Sequence, residues 1–268
     1  MTIDPQTRLP IPPLHMQVTA LNLSIGSWIA GISCVVIAIG FFLGLRDWQR
    51  NKTLMVILLL VGGGMDSLVE PLVDIVGGCW HPLLGQKTLF EIIGRPMPTW
   101  VPTIYAAFYG GLAALVYLVC RKGVGAGLMW ALFVGCLIAE PLAEAGMLHW
   151  GMYAYYGNQP LWIAGLPPLW WIPANVTAIY LSGLFAVWSE RKGASLMPAL
   201  LMPLASPLID ASVTTLVGFP AIVAVNSPLP VWLTQVCGLV AYAISIAVMR
   251  IAIRYFAADS SCVEQTCD

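Results

Sequence analysis

The sequence predicts an all-α protein, a polytopic membrane bundle of about seven helices, with a threefold helix-hairpin pseudo-repeat followed by a last helix. Three observations predict it. Hydrophobic residues make up 59% of the 268 and charged residues only 9%, against roughly 25% charged in an average soluble domain. Apolar runs of about 20 residues, enough to cross a hydrocarbon core of roughly 30 Å, follow one another with no polar stretch long enough for a second globular unit. These runs are too long and continuous for barrel strands, and lipid admits only helices or closed barrels.

Residues 1–23 read as a segment ahead of a mature first helix rather than as a signal peptide, because Pro5, Pro10, Pro12 and Pro13 stand where a signal peptide would carry its basic stretch. The distribution of charge along the chain places that segment extracytoplasmic. The transmembrane domain occupies 24–256, with helices expected at 24–45, 53–76, 99–120, 125–147, 171–189, 195–217 and 229–256. Residues 257–268 form a tail. Of the twelve basic residues, nine (Arg46, Arg50, Lys52, Arg121, Lys122, Arg191, Lys192, Arg250 and Arg254) fall at alternate helix ends and so on one side; Arg8, Lys87 and Arg95 fall on the other. The positive-inside rule then makes the basic side and the tail cytosolic, and the N-terminus and loops 77–98, 148–170 and 218–228 lumenal or extracytoplasmic. That places the chain in the endoplasmic reticulum membrane of a eukaryote or the plasma membrane of a bacterium. A net charge of −1 with no basic face excludes nucleic acid as a partner.

Seven scattered cysteines, Cys34, Cys79, Cys120, Cys136, Cys237, Cys262 and Cys267, contain no CxxC, and the expectation is free thiols with no metal and no disulfide framework. Two loops are rich in aromatics and turn formers, GGCWHPLLGQ at 77–86 and HWGMYAYYGNQPLWIAGLPPLWW at 149–171. They read equally as interfacial anchors and as a lid over a pocket. The sequons at Asn22, Asn51 and Asn175 sit too close to or within predicted helices, or on the cytosolic side, to be used.

The chemistry-bearing pattern is acidic. The second predicted helix carries Asp66, Glu70 and Asp74 at i, i+4 spacing and hence on one face, and the fourth carries Glu140 and Glu144 at the same spacing. Glu70-Pro71-Leu72-Val73-Asp74 and Glu140-Pro141-Leu142-Ala143-Glu144 share EPLx[DE], and Ser206-Pro207-Leu208-Ile209-Asp210 repeats PLx[DE] in the sixth helix. Each proline is expected to kink its helix and free a carbonyl beside the acids. A carboxylate at helix centre costs about 2.5–3.5 kcal/mol on insertion scales, so these groups must face protein, water or each other. They also fit a structural polar cluster. Glu70 and Asp210, flanked by apolar helix on both sides, are the hardest to explain that way.

An acid in an apolar pocket with aromatic walls suits protonation of an alkene or epoxide followed by carbocation cyclisation, since burial keeps a carboxyl group protonated and aromatic faces stabilise cations. Candidate walls are Trp80, Trp100, Tyr105, Trp150, Tyr153, Tyr155, Trp162, Trp170 and Trp171, of which two or three are expected to touch substrate. Candidate catalytic residues are Glu70, Asp210, Glu140, Asp74 and Glu144; candidate substrate-binding residues are Asp66, Trp80, His149, Tyr153, Tyr155 and Trp170. His149, about one turn beyond Glu144, is placed to relay a proton. The pocket is expected between helices two, four and six, closed by loops 77–98 and 148–170.

With its length, its helix count, Glu70 in the second helix and Asp210 in SPLID, the chain resembles the membrane-bound terpene cyclases of meroterpenoid pathways. The resemblance covers the hydropathy plan of the whole chain through short motifs. It implies a cofactor-independent cyclase of isomerase or lyase type in secondary metabolism, in which Glu70 and Asp210 protonate a terminal epoxide of a prenyl chain. Partners would be a hydrophobic prenylated or terpenoid substrate, the lipid bilayer and other pathway enzymes. The EPLVD and EPLAE doublets and the GMYAYYG loop depart from that family; Gly151-x-Tyr153-x-Tyr155 is instead similar to membrane carotenoid-modifying proteins, leaving a hydratase or isomerase open. Metal-dependent prenyl transfer is a further alternative, because Asp66-x-x-x-Glu70-x-x-x-Asp74 resembles an acidic magnesium motif, although no basic residue lies in a helix interior to meet a diphosphate. A small-molecule transporter would also explain intramembrane acids. A retinal protein would not, for want of a lysine in the last helix.

Overall fold

The computed structural model describes residue 4 and residues 9–193 and 200–257. Arg8, the start of the expected sixth helix at 195–199, and the tail beyond Ala257 with Cys262 and Cys267 lie outside the described residues. The described chain is an all-α bundle with α1 (Ala20–Asn51), α2 (Met55–Asp66), α3 (Glu70–Gly77), α4 (Val101–Tyr105), a π-helical turn (Ala106–Gly110), α5 (Gly111–Cys120), α6 (Ala126–His149), α7 (Trp171–Arg191), α8 (Met202–Val225) and α9 (Val231–Phe256). Among the described residues six spans are long and apolar enough to cross a membrane, seven if the bent pair α2 and α3 counts as one.

The first helix starts earlier than its apolar run, because Thr19 and Asn22 form a capping box: the Thr19 hydroxyl accepts from the Asn22 N–H, and the Asn22 side chain accepts from the Thr19 N–H. Asn22 also donates to the Trp150 carbonyl and is buried.

The expected second helix is broken. Between α2 and α3 the axis turns by 51°. Pro71 lacks the N–H that would continue the ladder and disfavours helical geometry at the residue before it, while the Ser67 hydroxyl donates back to the Gly64 carbonyl at 2.7 Å. Pro141 and Pro207 are absorbed within continuous α6 and α8. The three Pro-Leu steps therefore do not share one backbone geometry, and Asp66, Glu70 and Asp74 are not the single helical face that their spacing implied.

The fifth span, α7, lies at the centre: 83% of its most apolar stretch is buried against 11% for α1. It packs on α5, α6, α8 and α9, while α2 packs on α8, α1 and the π turn. In lipid, close helix approach depends on small residues. Here Gly62 faces Ser206, Gly183 faces Ala113 and Val116, and Gly63 lies directly against the Gly110 backbone. Trp28, Ile32 and Phe42 of α1, Leu216 and Phe219 of α8, and Leu239 of α9 are exposed. That belt would be insoluble in water and is at home against acyl chains.

At one end the helix termini are tied by charge. Arg121 donates to both carboxylate oxygens of Asp47, at 2.8 and 2.5 Å, and to the Tyr117 hydroxyl at 2.9 Å, and Arg191 stacks over Phe256. The other end carries two small ribbons that the sequence did not announce. Strands β1 (Cys79–Trp80) and β4 (Ala154–Tyr155) pair antiparallel, with Cys79 opposite Tyr155, and so clip the two aromatic loops together. Strands β2 (Thr88–Ile92) and β3 (Arg95–Pro98) form a hairpin, turned through Ile93 and Gly94 at φ 51 and 70.

Two glycines set up the first ribbon. Gly78, at φ 69, caps α3 by donating to the Asp74 carbonyl, and Gly77 leaves room for the Trp171 ring. The contact of Gly63 with Gly110 gives a prediction for the bundle as a whole. Gly63→Ala or Gly110→Ala is expected to lower the thermal unfolding midpoint in detergent, by about 1–3 kcal/mol of overpacking. Gly135→Ala, with nothing within 4 Å of its added methyl, is expected to leave it unchanged or raise it.

Candidate functional site

A cavity opens where the broken span meets the π turn and the clipped loops. It is lined by Glu70 of α3, Cys79 and His81 of the first loop, Trp100 and Tyr105 at α4, Phe108 and Tyr109 of the π turn, Glu140, Ala143, Glu144 and Met147 of α6, Tyr153 and Tyr155 of the second loop, and Trp171 and Asn175 of α7. Its walls leave about 640 Å³ unfilled by atoms, the mouth included. The π turn matters to its shape: the wider turn brings Tyr105 and Tyr109 into parallel stacking, with ring centroids 4.6 Å apart and planes 3° from parallel.

Three carboxyl groups share this cavity, each held differently. Glu140 is buried; its Oε1 accepts from Asn175 Nδ2 at 2.8 Å, while its Oε2 has no partner in the protein. Glu144 Oε2 accepts from the Tyr155 hydroxyl at 2.9 Å. Glu70, buried at the start of α3, has the Tyr105 hydroxyl within hydrogen-bonding reach. The Trp100 indole N–H is also buried without a partner, and both Trp100 and Glu140 belong to the cavity wall.

The other acids lie outside the cavity lining. Asp66 Oδ2 accepts from Ser206 at 3.2 Å and Asp210 Oδ1 from Thr214 at 3.2 Å, where α2 packs against α8. Asp210 is absent from the cavity lining but lies close enough to act electrostatically on Glu70, Tyr105, Tyr109 and Glu140. The residues lining the cavity come from the second, third, fourth and fifth spans and the two loops, while the sixth span, α8, packs against α2, α3 and α7 and brings Asp210 near Asp66. Asp74 is buried and contacts His81, Oδ2 to Nδ1 at 3.2 Å.

Among the aromatic candidates, Trp100, Tyr105, Tyr153, Tyr155 and Trp171 line the cavity. Trp80 is buried but outside it, with the buried Arg95 guanidinium 4.9 Å over its ring. Trp170 is fully buried and donates to Gln159 at 2.9 Å, a packing role. Trp150 and Trp162 are exposed, as interfacial anchors would be. His149 is also exposed, with its ring against Trp150, and the polar partner of Glu144 is Tyr155 instead. The reason is that α6 runs on through His149 and turns that side chain outward, whereas β4 returns Tyr155 beneath the helix end.

No family model matches the chain, and no curated protein or solved structure is detectably similar to it. The site therefore rests on its own geometry.

Sequence reasoning missed Asn175, Tyr109, Cys79 and His81. Asn175 is a lone amide in an apolar helix, which at that depth signals a buried polar partner, but the partner could not be named. Burial, followed by the nearby Asp74 and Glu70 carboxylates, pushes the Cys79 thiol well above its ordinary pKa. The Asn175 contact yields a test: Asn175→Leu leaves both Glu140 oxygens unsatisfied and is expected to destabilise the folded state by about 1–3 kcal/mol in a detergent-unfolding titration. The double variant Asn175→Leu, Glu140→Leu should recover much of that loss, because both partners become apolar.

Proposed function

We propose that the chain is an integral membrane enzyme that protonates an epoxide or alkene of an isoprenoid chain and guides the resulting cation to a cyclised or isomerised product. The observation that carries this reading is the convergence of Glu70, Glu140 and Glu144 in one cavity walled by aromatic rings. Glu140 is the best-placed acid. Asn175 occupies one of its oxygens, leaving Oε2 free to hold and deliver a proton. The Trp100 N–H is available to an epoxide oxygen.

The steps balance without a cofactor. Glu140 protonates the epoxide oxygen, the adjacent C–O bond breaks, and a neighbouring double bond attacks the cationic carbon to form a C–C bond. A final proton is taken by a carboxylate, with Glu144, oriented by Tyr155, in position for it. The faces of Trp100, Tyr105, Tyr109, Tyr153 and Trp171 stabilise positive charge at no cost of desolvating an anion. The substrate enters from the bilayer, since the bundle offers it an apolar exterior. The positive-inside rule puts the end bearing Arg121 and Arg191 in the cytosol and the clipped loops on the opposite side.

The test is expression in a host without terpenoid modification, fed epoxidised and plain prenylated phenols and linear carotenoid precursors, with products read by mass spectrometry. The parent is expected to convert at least one. Glu140→Gln and Glu70→Gln should lower the rate by about 10²–10⁴-fold, the usual contribution of general acid catalysis, and Asp210→Asn, outside the cavity, by less than about tenfold. A parent inert toward every substrate, or a Glu140→Gln variant as active as the parent, would sink the proposal.

A further inference from the structure

Beside the three glutamates, one group of side chains plays no part in acid catalysis. Asp74, on the last turn of α3, Cys79, opening β1, and His81, just after it, are all buried, and their ligand atoms lie within 4.8 Å of one another. We propose that these three residues bind a zinc ion at the wall of the cavity. The proposal does not depend on the acid-catalysis reading above.

The donor set selects the metal. A thiolate, an imidazole and one carboxylate suit zinc, whereas magnesium and calcium take oxygen ligands almost exclusively. Zinc holds such ligands at about 2.0–2.3 Å, so tetrahedral donors stand roughly 3.3–3.8 Å apart. His81 Nδ1 and Asp74 Oδ2, 3.2 Å apart, already have about that separation, and the Cys79 sulfur needs only a modest approach.

Charge agrees as well. Thiolate, carboxylate and neutral imidazole cancel a dication, so the filled site would place no net charge in an apolar interior. A second observation points to a ligand independently of the clustering. Asp74 is 1% exposed, yet its Oδ1 has no hydrogen-bond partner, and a buried carboxylate oxygen left so is costly unless something binds it.

The local chain explains how so short a segment assembles three ligands. Spacings of five and two residues fit none of the familiar zinc patterns, and as one continuous helix the residues would diverge. The left-handed turn at Gly78 reverses the chain after α3, and pairing with β4 fixes Cys79. Arg95 donates to the Cys79 carbonyl at 3.2 Å and holds the strand from the other side. His81 packs between Trp100 and Tyr153, with centroids at 6.0 and 5.4 Å, which limits its ring rotation. Because Cys79 and His81 both line the cavity, a molecule held there would be in reach to supply a fourth ligand, as water or substrate does in catalytic zinc sites with three protein ligands.

The experiment uses the full chain purified in detergent from zinc-supplemented cells, without substrate. The parent is expected to retain about one zinc per chain by elemental analysis, as a three-ligand site would. After exchange with cobalt it should show thiolate-to-cobalt charge-transfer absorption. Cys79→Ser should abolish that absorption, and Cys79→Ser, His81→Ala and Asp74→Asn should each reduce retained zinc by about tenfold or more. Cys120→Ser, a buried thiol outside the cluster, should change neither. Because a ligand variant can fail to fold, the parent stripped by chelator is also heated with and without added zinc, and its unfolding midpoint should rise with zinc. A parent that takes up neither zinc nor cobalt and shows no zinc-dependent shift overturns the site. So does a folded Cys79→Ser or His81→Ala variant that retains the parent's zinc. Glu140→Gln is expected to keep its zinc whatever its activity, so loss of the zinc site and loss of the acid mechanism are separately visible.

Discussion

The constraint on which this structure depends is that a polar group inside a bundle meant for lipid must find its partner within the protein. Water is not there to compensate, and an unpaired group costs several kcal/mol. Six acids lie in the second, fourth and sixth spans, and the fold sorts them by partner. Asp66 turns to Ser206 near Asp210, and Asp210 to Thr214, in the seam between α2 and α8. Asp74 turns to His81 beneath the loops, while Glu70, Glu140 and Glu144 turn inward to the cavity. The helix outsides are left to Leu, Ile, Phe and Trp.

That sorting requires the break after Asp66. An uninterrupted helix would carry Asp66, Glu70 and Asp74 along one face and present them to one neighbour. The 51° turn between Asp66 and Glu70 sets Asp66 apart on α2, while Glu70 and Asp74 stay together on α3, one lining the cavity and the other meeting His81. Beyond the same turn, α3 packs against α8 and the loop strands, and its Glu70 shares the cavity with Glu140 and Glu144 of α6. The β1–β4 pairing then seats Tyr155 on Glu144 and Cys79 beside it. Two glycines, a proline and a two-residue ribbon thus set most of the geometry of the site. The acidic magnesium reading of Asp66, Glu70 and Asp74 loses its basis here, because the three carboxylates do not converge.

Some of this was legible in the amino-acid sequence and some was not, for definable reasons. Helix existence follows from hydropathy: the six continuous apolar runs became helices, with ends displaced by up to eight residues, as where the Thr19 cap starts α1 early and where α8 runs on to Val225 through most of the loop expected at 218–228. The clustering of Glu140 with Glu144 followed from i, i+4 spacing within one unbroken helix. The position of Asp210 did not, since spacing along one helix says nothing about which neighbour that helix faces. His149 lies exposed against Trp150, and Glu144 is met by Tyr155 instead, for a similar reason: the outward rotation of the last turn is not encoded locally.

What the sequence by itself determined is the class of protein, an all-α bundle of membrane-length spans, and the set of acids that such a bundle must hide. Composition and run length suffice for both, because lipid permits so few solutions. What only the tertiary structure decided is which acids meet. Glu140 finds Asn175, 35 residues away, and Glu144 finds Tyr155 through a loop ribbon. Asp74, Cys79 and His81 gather only because Gly78 adopts a left-handed turn after a broken helix. Such convergence depends on chain reversals and helix rotation, which are fixed by packing among distant residues and leave no periodic trace along the chain.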